Sequence, residues 1–330
     1  MSKVSGSSRK FVLSPNLKVG VLLGGTSPER EVSLKSGKAV EEALQAAGVE
    51  TRLIDPARFK KNRCDFSGID AAFVALHGEG GEDGTIQRQL ERSGLPYTGS
   101  TAVGCSLSIN KNRAKALFRK AGIPTPDSRL ITLKNWRKTL KSFPAPFFVK
   151  PPEDGSSLGI FLVESVDGDQ AKIHSALKKY GRLLVEKRIA GREFTVGVLG
   201  MKALPVVELK PKGAFYDFHS KYTKGMCEYL VPAPISPKLT RKLQRLGVAV
   251  HKTLQLRDFS RTDIMVDESG SPYVLEANAI PGFTALSLVP KAAACAGISF
   301  EELCTRLLTW ALKRGPEKVR SGSRNRKRRP

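Results

Sequence analysis

The run LKVGVLLGG at residues 17–25 limits what this chain can become more than any other stretch. Its near-continuous aliphatic residues end in a Gly pair, the pattern of a strand buried on both faces that stops at a turn. The segment after it, TSPEREVSLKSGKAVEEALQAAG, spaces its apolar residues at helical intervals and reads as an amphipathic helix folded back over the strand. Thr26 or Ser27 is placed to cap that helix, Pro28 suits its first turn, and Glu29 can close a capping box with Thr26. The pattern then repeats, with ETRLID and AAFVALHG as further strands and helices over 86–93 and 111–121. Strands alternating with helices predict a mostly parallel, doubly wound α/β sheet with its ligands at the carboxyl ends of the strands.

From about Ser100 the texture changes. A helix (NKNRAKALFRKAG) and a Pro-rich turn (IPTPD) lead into strands FFVK, GIFLVES and LLVEKRI, separated by Gly-rich turns, which read as an α+β unit. Beyond Gly191 come strands EFTVGVLG and ALPVVELK, a loop over 211–237 and a helix over 237–254. Two strands, RTDIMVD and PYVLEANA, then flank the turn ESGS, and the helix ISFEELCTRLLTWALKR closes the folded part. A chain of 330 residues exceeds one ordinary core, and the boundaries expected are 17–99, 100–189 and 190–314, followed by a tail over 315–330.

Composition narrows the class. Hydrophobic residues at 40% and charged residues at 26% are ordinary for a soluble globular chain, and no apolar run approaches the roughly 18 residues of a membrane span. The N-terminal MSKVSGSSRK is basic, but Ser14, Pro15 and Asn16 interrupt the apolar segment after it before a signal-peptide core can form. The 5 cysteines are odd in number and hold no CxxC pair, which argues against a disulfide framework or a zinc site and fits reduced thiols in a cytoplasm. The net charge of +24 invites a nucleic-acid reading, yet the stretch from Lys313 to Pro330 carries nine Lys or Arg against one Glu, a third of that excess. Its scarcity of large apolar residues predicts a solvated, disordered end.

The most informative local geometry is the pair of strands around ESGS. A turn centred between Ser269 and Gly270 sets Asp263 opposite Glu276 and Arg261 opposite Asn278, and the period of two puts all four on one face. Two carboxylates and an amide there offer hard oxygen ligands for Mg²⁺ or Mn²⁺ held together with nucleotide phosphates; a solvent-facing polar face with an Arg/Asp pair is the plain alternative. The flanking Ile264, Val266, Val274 and Leu275 favour a buried setting. Lys150 ends the strand FFVK before PPEDGSSLG, where an ammonium and backbone N–H groups can surround phosphate oxygens, though such a turn can be simply a turn. It is not a Walker A loop, because GxxxxGK[ST] is absent. Glu31 has no capping task and can face an ammonium ligand over the Gly loop. His77, in HGEGGEDG, serves either a ligand or a hydrogen-bonded turn.

Taken in order, VGVLLGGTSPEREVSLKSG, ALHGEGGEDGTIQ, GLPYTGS, FFVKPPEDGSSLGI, VEKRIAGREFTVGVLG, YDFHSKYT, SRTDIMVD and LEANAIPGFTALSLVP resemble the D-alanine:D-alanine ligases of the ATP-grasp superfamily, over about 18–313. The resemblance implies an ATP-grasp fold with an N-terminal Rossmann-like domain (17–99), a central lid domain (100–189) and a C-terminal domain bearing the metal and catalytic residues (190–314). By the same resemblance Asp263, Glu276 and Asn278 bind two Mg²⁺ or Mn²⁺ ions, and Lys111 and Lys150 hold ATP phosphates. Glu186 and Lys187 lie at the adenine, and Glu193 takes the ribose. Glu31 receives the ammonium of the first D-alanine, with His77 and Glu82 nearby. Ser156, Lys221 and Tyr222 form a loop lock. Arg261 and the Gly282 amide stabilise an oxyanion, and Ser287 and Leu288 bind the second D-alanine's carboxylate. The implied protein is a cytoplasmic homodimer serving peptidoglycan synthesis, with small-molecule substrates and neither membrane nor nucleic-acid partner.

The sequence departs from the family pattern at Asn110, where Asp is usual, at Arg88 in place of Gly, and at Ala279 in place of Thr. None of these removes an assigned ligand. A sister ligase taking D-lactate or D-serine second is the alternative, and the loop HSKYT resembles the Lys-Tyr pair of the dipeptide-forming enzymes. A basic RNA-binding protein would explain the charge, but no RNP aromatic pattern or zinc knuckle is present.

Overall fold

The computed structural model describes residues 14, 16–153, 155, 159–211 and 226–317. The N-terminal alternation forms a parallel sheet of β1 (Lys18–Leu22), β2 (Glu50–Ile54) and β3 (Ala71–Val74) in the order β2-β1-β3, with Tyr97 adding a single parallel bridge to Ala72. Central β1 buries Val19, Val21 and Leu22 completely, as its unbroken apolar run requires. Helix α1 (Arg30–Ala46) returns across the sheet, and α2 (Thr85–Arg92) follows β3. Gly37 sits where α1 meets the strand exit: a Cβ there would lie 2.4 Å from the Leu23 Cβ. Neither Thr26 nor Ser27 caps α1. The N-cap position is Glu29, without a side-chain cap bond, and Ser27 Oγ instead donates to the His77 carbonyl at 2.7 Å.

Helices α3 (Ala102–Ile109) and α4 (Lys111–Lys120) lead into an antiparallel sheet of β4 (Ser128–Thr132), β5 (Phe147–Lys150), β6 (Phe161–Val163) and β7 (Arg182–Lys187), ordered β4-β7-β5-β6. With α5 (Trp136–Lys141) and α6 (Val166–Tyr180) it encloses a separate core around Trp136, Phe147, Ile173 and Leu177.

The third sheet holds β8 (Gly191–Leu199), β9 (Lys202–Ala203), β10 (Val207–Pro211), β11 (Cys227–Leu230), β12 (Phe259–Asp267) and β13 (Pro272–Asn278), in the order β11-β10-β8-β12-β13 with β9 paired to β8. The single strand expected from ALPVVELK divides into β9 and β10 around Pro205, which has no N–H to give a ladder. The loop expected over 211–237 contains β11. Helices α7 (Pro237–Thr253), α8 (Leu288–Cys295) and α9 (Phe300–Arg314) complete the described chain. First and third sheets share one continuous apolar core, in which Phe283 meets Phe73, Phe259 and Phe300 at ring-centre distances of 5.6, 5.2 and 5.5 Å. The buried Asp258 carboxylate fastens their edge, accepting from the Gly99 N–H at 2.8 Å and from Arg314 of α9 at 2.8 and 2.9 Å. No helix among the described residues is long and apolar enough to cross a membrane.

Candidate active site

The strands β12 and β13 pair as the spacing predicts: Asp263 stands opposite Glu276 and Arg261 opposite Asn278. The four side chains meet on one face. Asp263 Oδ1 accepts from Arg261 Nε at 2.9 Å and from the Thr195 hydroxyl at 2.7 Å; Oδ2 accepts from Arg261 Nη2 at 2.9 Å and from Asn278 Nδ2 at 3.3 Å. The Arg/Asp pair of the plain reading is therefore present, but Asp263 is only 8% exposed and Glu276 lies 3.5 Å from the Lys111 ammonium. Beyond Asp263 the register slips, so that Ile264 pairs with Val274 and Leu275 is the extra residue of a bulge. Ile264, Val266 and Val274 are buried as expected, whereas bulged Leu275 is half-exposed.

Helix α4 presents two ammonium groups one turn apart. Asn110 caps it by accepting from the Arg113 N–H at 2.9 Å, so the change from the usual Asp preserves the cap. Lys111 points to Glu276, and Lys115, wholly buried, pairs with Glu186 Oε2 at 2.5 Å while donating to Thr125 Oγ1 at 2.7 Å. The other Glu186 oxygen accepts from Lys150 Nζ at 2.6 Å. Burial opposes the charge on Glu186, but the two ammonium groups outweigh it and hold the carboxyl below its ordinary range. Burial also lowers Lys115, from 10.5 to about 8. Sequence reasoning missed Lys115, although its i,i+4 spacing from Lys111 was visible in KNRAK. Lys187 is exposed and Glu193 half-buried.

The first-sheet loops give two neighbouring glutamates opposite surroundings. Glu31 lies exposed on the first turn of α1. Glu29, read as a capping residue, is the buried carboxylate: a Cβ built on Gly78 or on Gly155 would lie 2.6 or 2.9 Å from Glu29 Oε2. His77 is buried between Ser36 Oγ, 3.0 Å from Nε2, and the Ile280 carbonyl, 3.1 Å from Nδ1, with Glu82 Oε1 at 3.5 Å. Because the Ile280 oxygen can only accept, the Nδ1 side of the ring is the donor in this bond, and Nε2 faces the Ser36 hydroxyl. His77 thus ties the first sheet to the β13 exit loop. In that loop Ser287 Oγ accepts from the Thr284 N–H at 3.0 Å, a Cβ on Gly282 would approach Ser287 Oγ to 3.3 Å, and Leu288 is buried at the start of α8. A cleft lined by Glu82, Lys111, Gly155, Glu276, Asn278 and Ala279 joins these parts. Ser156, Lys221 and Tyr222 lie outside the described residues.

A parallel three-stranded sheet followed by two antiparallel sheets, with lysines and a carboxylate hairpin meeting between them, is the arrangement of an ATP-grasp fold. Residues 117–309 match the family described as D-ala D-ala ligase C-terminus, and 57–100 match D-ala D-ala ligase N-terminus. The chain is 43% identical over 295 residues to the D-alanine--D-alanine ligase of Syntrophotalea carbinolica, covering 89% of this chain and 96% of that one. It is 42% identical to the D-alanine--D-alanine ligase of Geotalea uraniireducens, covering 89% and 95%. Among solved structures, D-alanine--D-alanine ligase from Bacillus anthracis complexed with ATP superposes with a TM-score of 0.79 at 29% identity, covering 90% of this chain and 98% of that one. The VanG D-Ala:D-Ser ligase of Enterococcus faecalis gives 0.77 at 28%, covering 90% and 99%. The chain belongs to the D-alanine–D-alanine ligase family.

Proposed function

We propose that this chain joins two D-alanine molecules, converting ATP to ADP and phosphate, to supply the dipeptide of peptidoglycan. What carries this reading is the cleft itself, where Glu82 from the loop between β3 and α2, Lys111 of α4 and the Glu276–Asn278 segment of the hairpin face one space in a chain of this family. The first D-alanine's carboxylate attacks the γ-phosphorus and ADP leaves, giving an acyl phosphate. The second D-alanine's amine then attacks the acyl carbon, and phosphate leaves as the amide forms. Charge grows on oxygen in both steps, so fixed cations rather than a covalent nucleophile are the useful groups. Glu29, in place of the exposed Glu31, receives the first ammonium, with Glu82 and His77 shaping that end. Arg261, already fixed by two bonds to Asp263, and the Gly282 amide face the oxyanion without further ordering. Ser287 and Leu288 hold the second carboxylate. Lys111 and Lys150 hold phosphates, with Glu186, Lys187 and Glu193 toward the nucleoside.

Asp263, Glu276 and Asn278 fit Mg²⁺ or Mn²⁺: the donors are all hard oxygens, and Glu276 and Asn278 line the cleft. Such ions, when bound, neutralise phosphate charge. Ser156, Lys221 and Tyr222 would close a loop that keeps water from the acyl phosphate. The segments 17–99, 100–189 and 190–314 act as substrate, lid and catalytic domains of a cytoplasmic homodimer. The test is phosphate release from ATP with D-alanine alone, with L-alanine alone, and with D-alanine paired with D-serine or with D-lactate. Turnover with D-alanine alone supports the reading, and a preference for a mixed pair containing D-serine or D-lactate replaces it with a sister ligase.

A further inference from the structure

Among the described residues, Lys115 is the one fully buried lysine of the site. It stands between three parts of the fold. Its ammonium meets Glu186 of β7 at 2.5 Å and Thr125 Oγ1 at 2.7 Å, and the Thr125 hydroxyl in turn donates to the Val274 carbonyl of β13 at 2.7 Å. Glu186, only 3% exposed, is shared with Lys150 at 2.6 Å. The buried group is thus two cations around one anion, with a net charge of +1.

A lone Glu186–Lys150 pair would be internally neutral, and the carboxylate would compete with any phosphate for the Lys150 ammonium. With Lys115 drawing on the second carboxylate oxygen, the pair keeps a surplus positive charge in a low-dielectric setting, where it attracts an anion strongly. We propose that Lys115 is a positioning residue for nucleotide binding: it holds Glu186 by one carboxylate oxygen and leaves the Lys150 ammonium available to a phosphate of ATP. The inference rests on the ligase reading above, because ATP is the anion it names. The groups facing Lys115 are Glu186, Lys150 and, at longer range, Glu276, and burial lowers its proton affinity to about 8. As pH rises through that value the surplus charge is lost, so ATP binding weakens on the alkaline side.

Three proteins test this: wild type, Lys115→Met and Lys115→Arg, with ATP titrated in the D-alanine-dependent phosphate-release assay and by calorimetry. Lys115→Met should raise the KM and Kd for ATP about tenfold, leave kcat and the KM for D-alanine within about threefold, and abolish the alkaline weakening of ATP binding. Lys115→Arg should recover part of the affinity. Unchanged ATP affinity in folded Lys115→Met, or a loss of kcat with ATP affinity intact, overturns the proposal. If Lys115→Met does not fold, Thr125→Val removes one hydroxyl contact of the same ammonium. In that variant, together with the wild-type pH profile of ATP Kd, no shift in either measurement overturns it equally. Calorimetry separates the two ideas: wild type that binds ATP but shows no turnover with D-alanine contradicts the ligase reading while Lys115 is still tested.

Discussion

Glu29 and Glu31 are two residues apart on one turn and have opposite surroundings. Glu29 is packed under Gly78 and Gly155, and Glu31 faces solvent. If a buried carboxylate receives the first ammonium, Glu29→Gln should cost about 3 kcal/mol of transition-state stabilisation, roughly a hundredfold in kcat/KM for D-alanine. Glu31→Gln should stay within about twofold in the same assay. A hundredfold loss in Glu31→Gln with Glu29→Gln near wild type would return the role to the exposed residue. His251 gives a residue-scale prediction for stability. It is buried against the Ser260 hydroxyl at 2.7 Å, and burial pushes its imidazole from 6.5 down to about 4. Between those values the unfolded chain binds a proton that the folded chain does not. Stability therefore falls as pH drops from 6.5 to about 4 and changes no further from this source below that. The loss approaches about 3 kcal/mol, and His251→Gln should flatten it in urea titrations across that range. An unchanged slope would show that the histidine titrates normally.

At the scale of elements, Gly37 separates helix propensity from packing. Alanine would favour an isolated helix by about 1 kcal/mol, but in α1 its methyl would meet Leu23 at 2.4 Å. Gly37→Ala should therefore destabilise by about 1–3 kcal/mol in thermal unfolding, and a stabilised variant would mean that α1 can shift away at no cost. The same contrast between local pattern and packing decides what could be read in the sequence. β1, α1 and the β12–β13 pairing were legible because each carries an unbroken period or a short turn that fixes register. The bulge at Leu275 was not, since nothing in PYVLEANA marks an extra residue. β4 is five residues with one wholly buried apolar side chain, Ile131, and α6 buries only Ile173 and Leu177 on a helix containing Gly168, so neither had a strong period. α8 is rich in small residues whose burial comes from neighbours rather than from an apolar stripe. In the site, the hairpin acids were visible because spacing alone aligns them. The burial of Glu29 beside exposed Glu31 and the pairing of Lys115 with Glu186 depend on Gly78, Gly155 and Glu186 coming from distant segments, which no local window contains.

For the whole molecule, the shared core joins the first and third sheets while the second keeps a core of its own. The edge of the shared body is closed by ion pairs at the end of α9: Arg314 with Asp258, and Arg257 with Glu317. Ending the chain after Glu317 removes residues 318–330, which contain seven Lys or Arg and one apolar residue, Val319, yet leaves both pairs in place. That truncation should preserve turnover and shift Tm by no more than about 2 °C, because little apolar area can be lost. A cut before Gly315 removes Glu317 as well and should lower Tm further by releasing Arg257; equal Tm values for the two cuts would show that the pair contributes nothing.

The ligation itself is tested most directly by its products. Purified protein with ATP, Mg²⁺ and D-alanine should form one D-alanyl-D-alanine for each ADP released, measured by mass spectrometry beside nucleotide chromatography, and should form none with L-alanine. ADP release without dipeptide, or dipeptide formation indifferent to the alanine's chirality, would contradict the account.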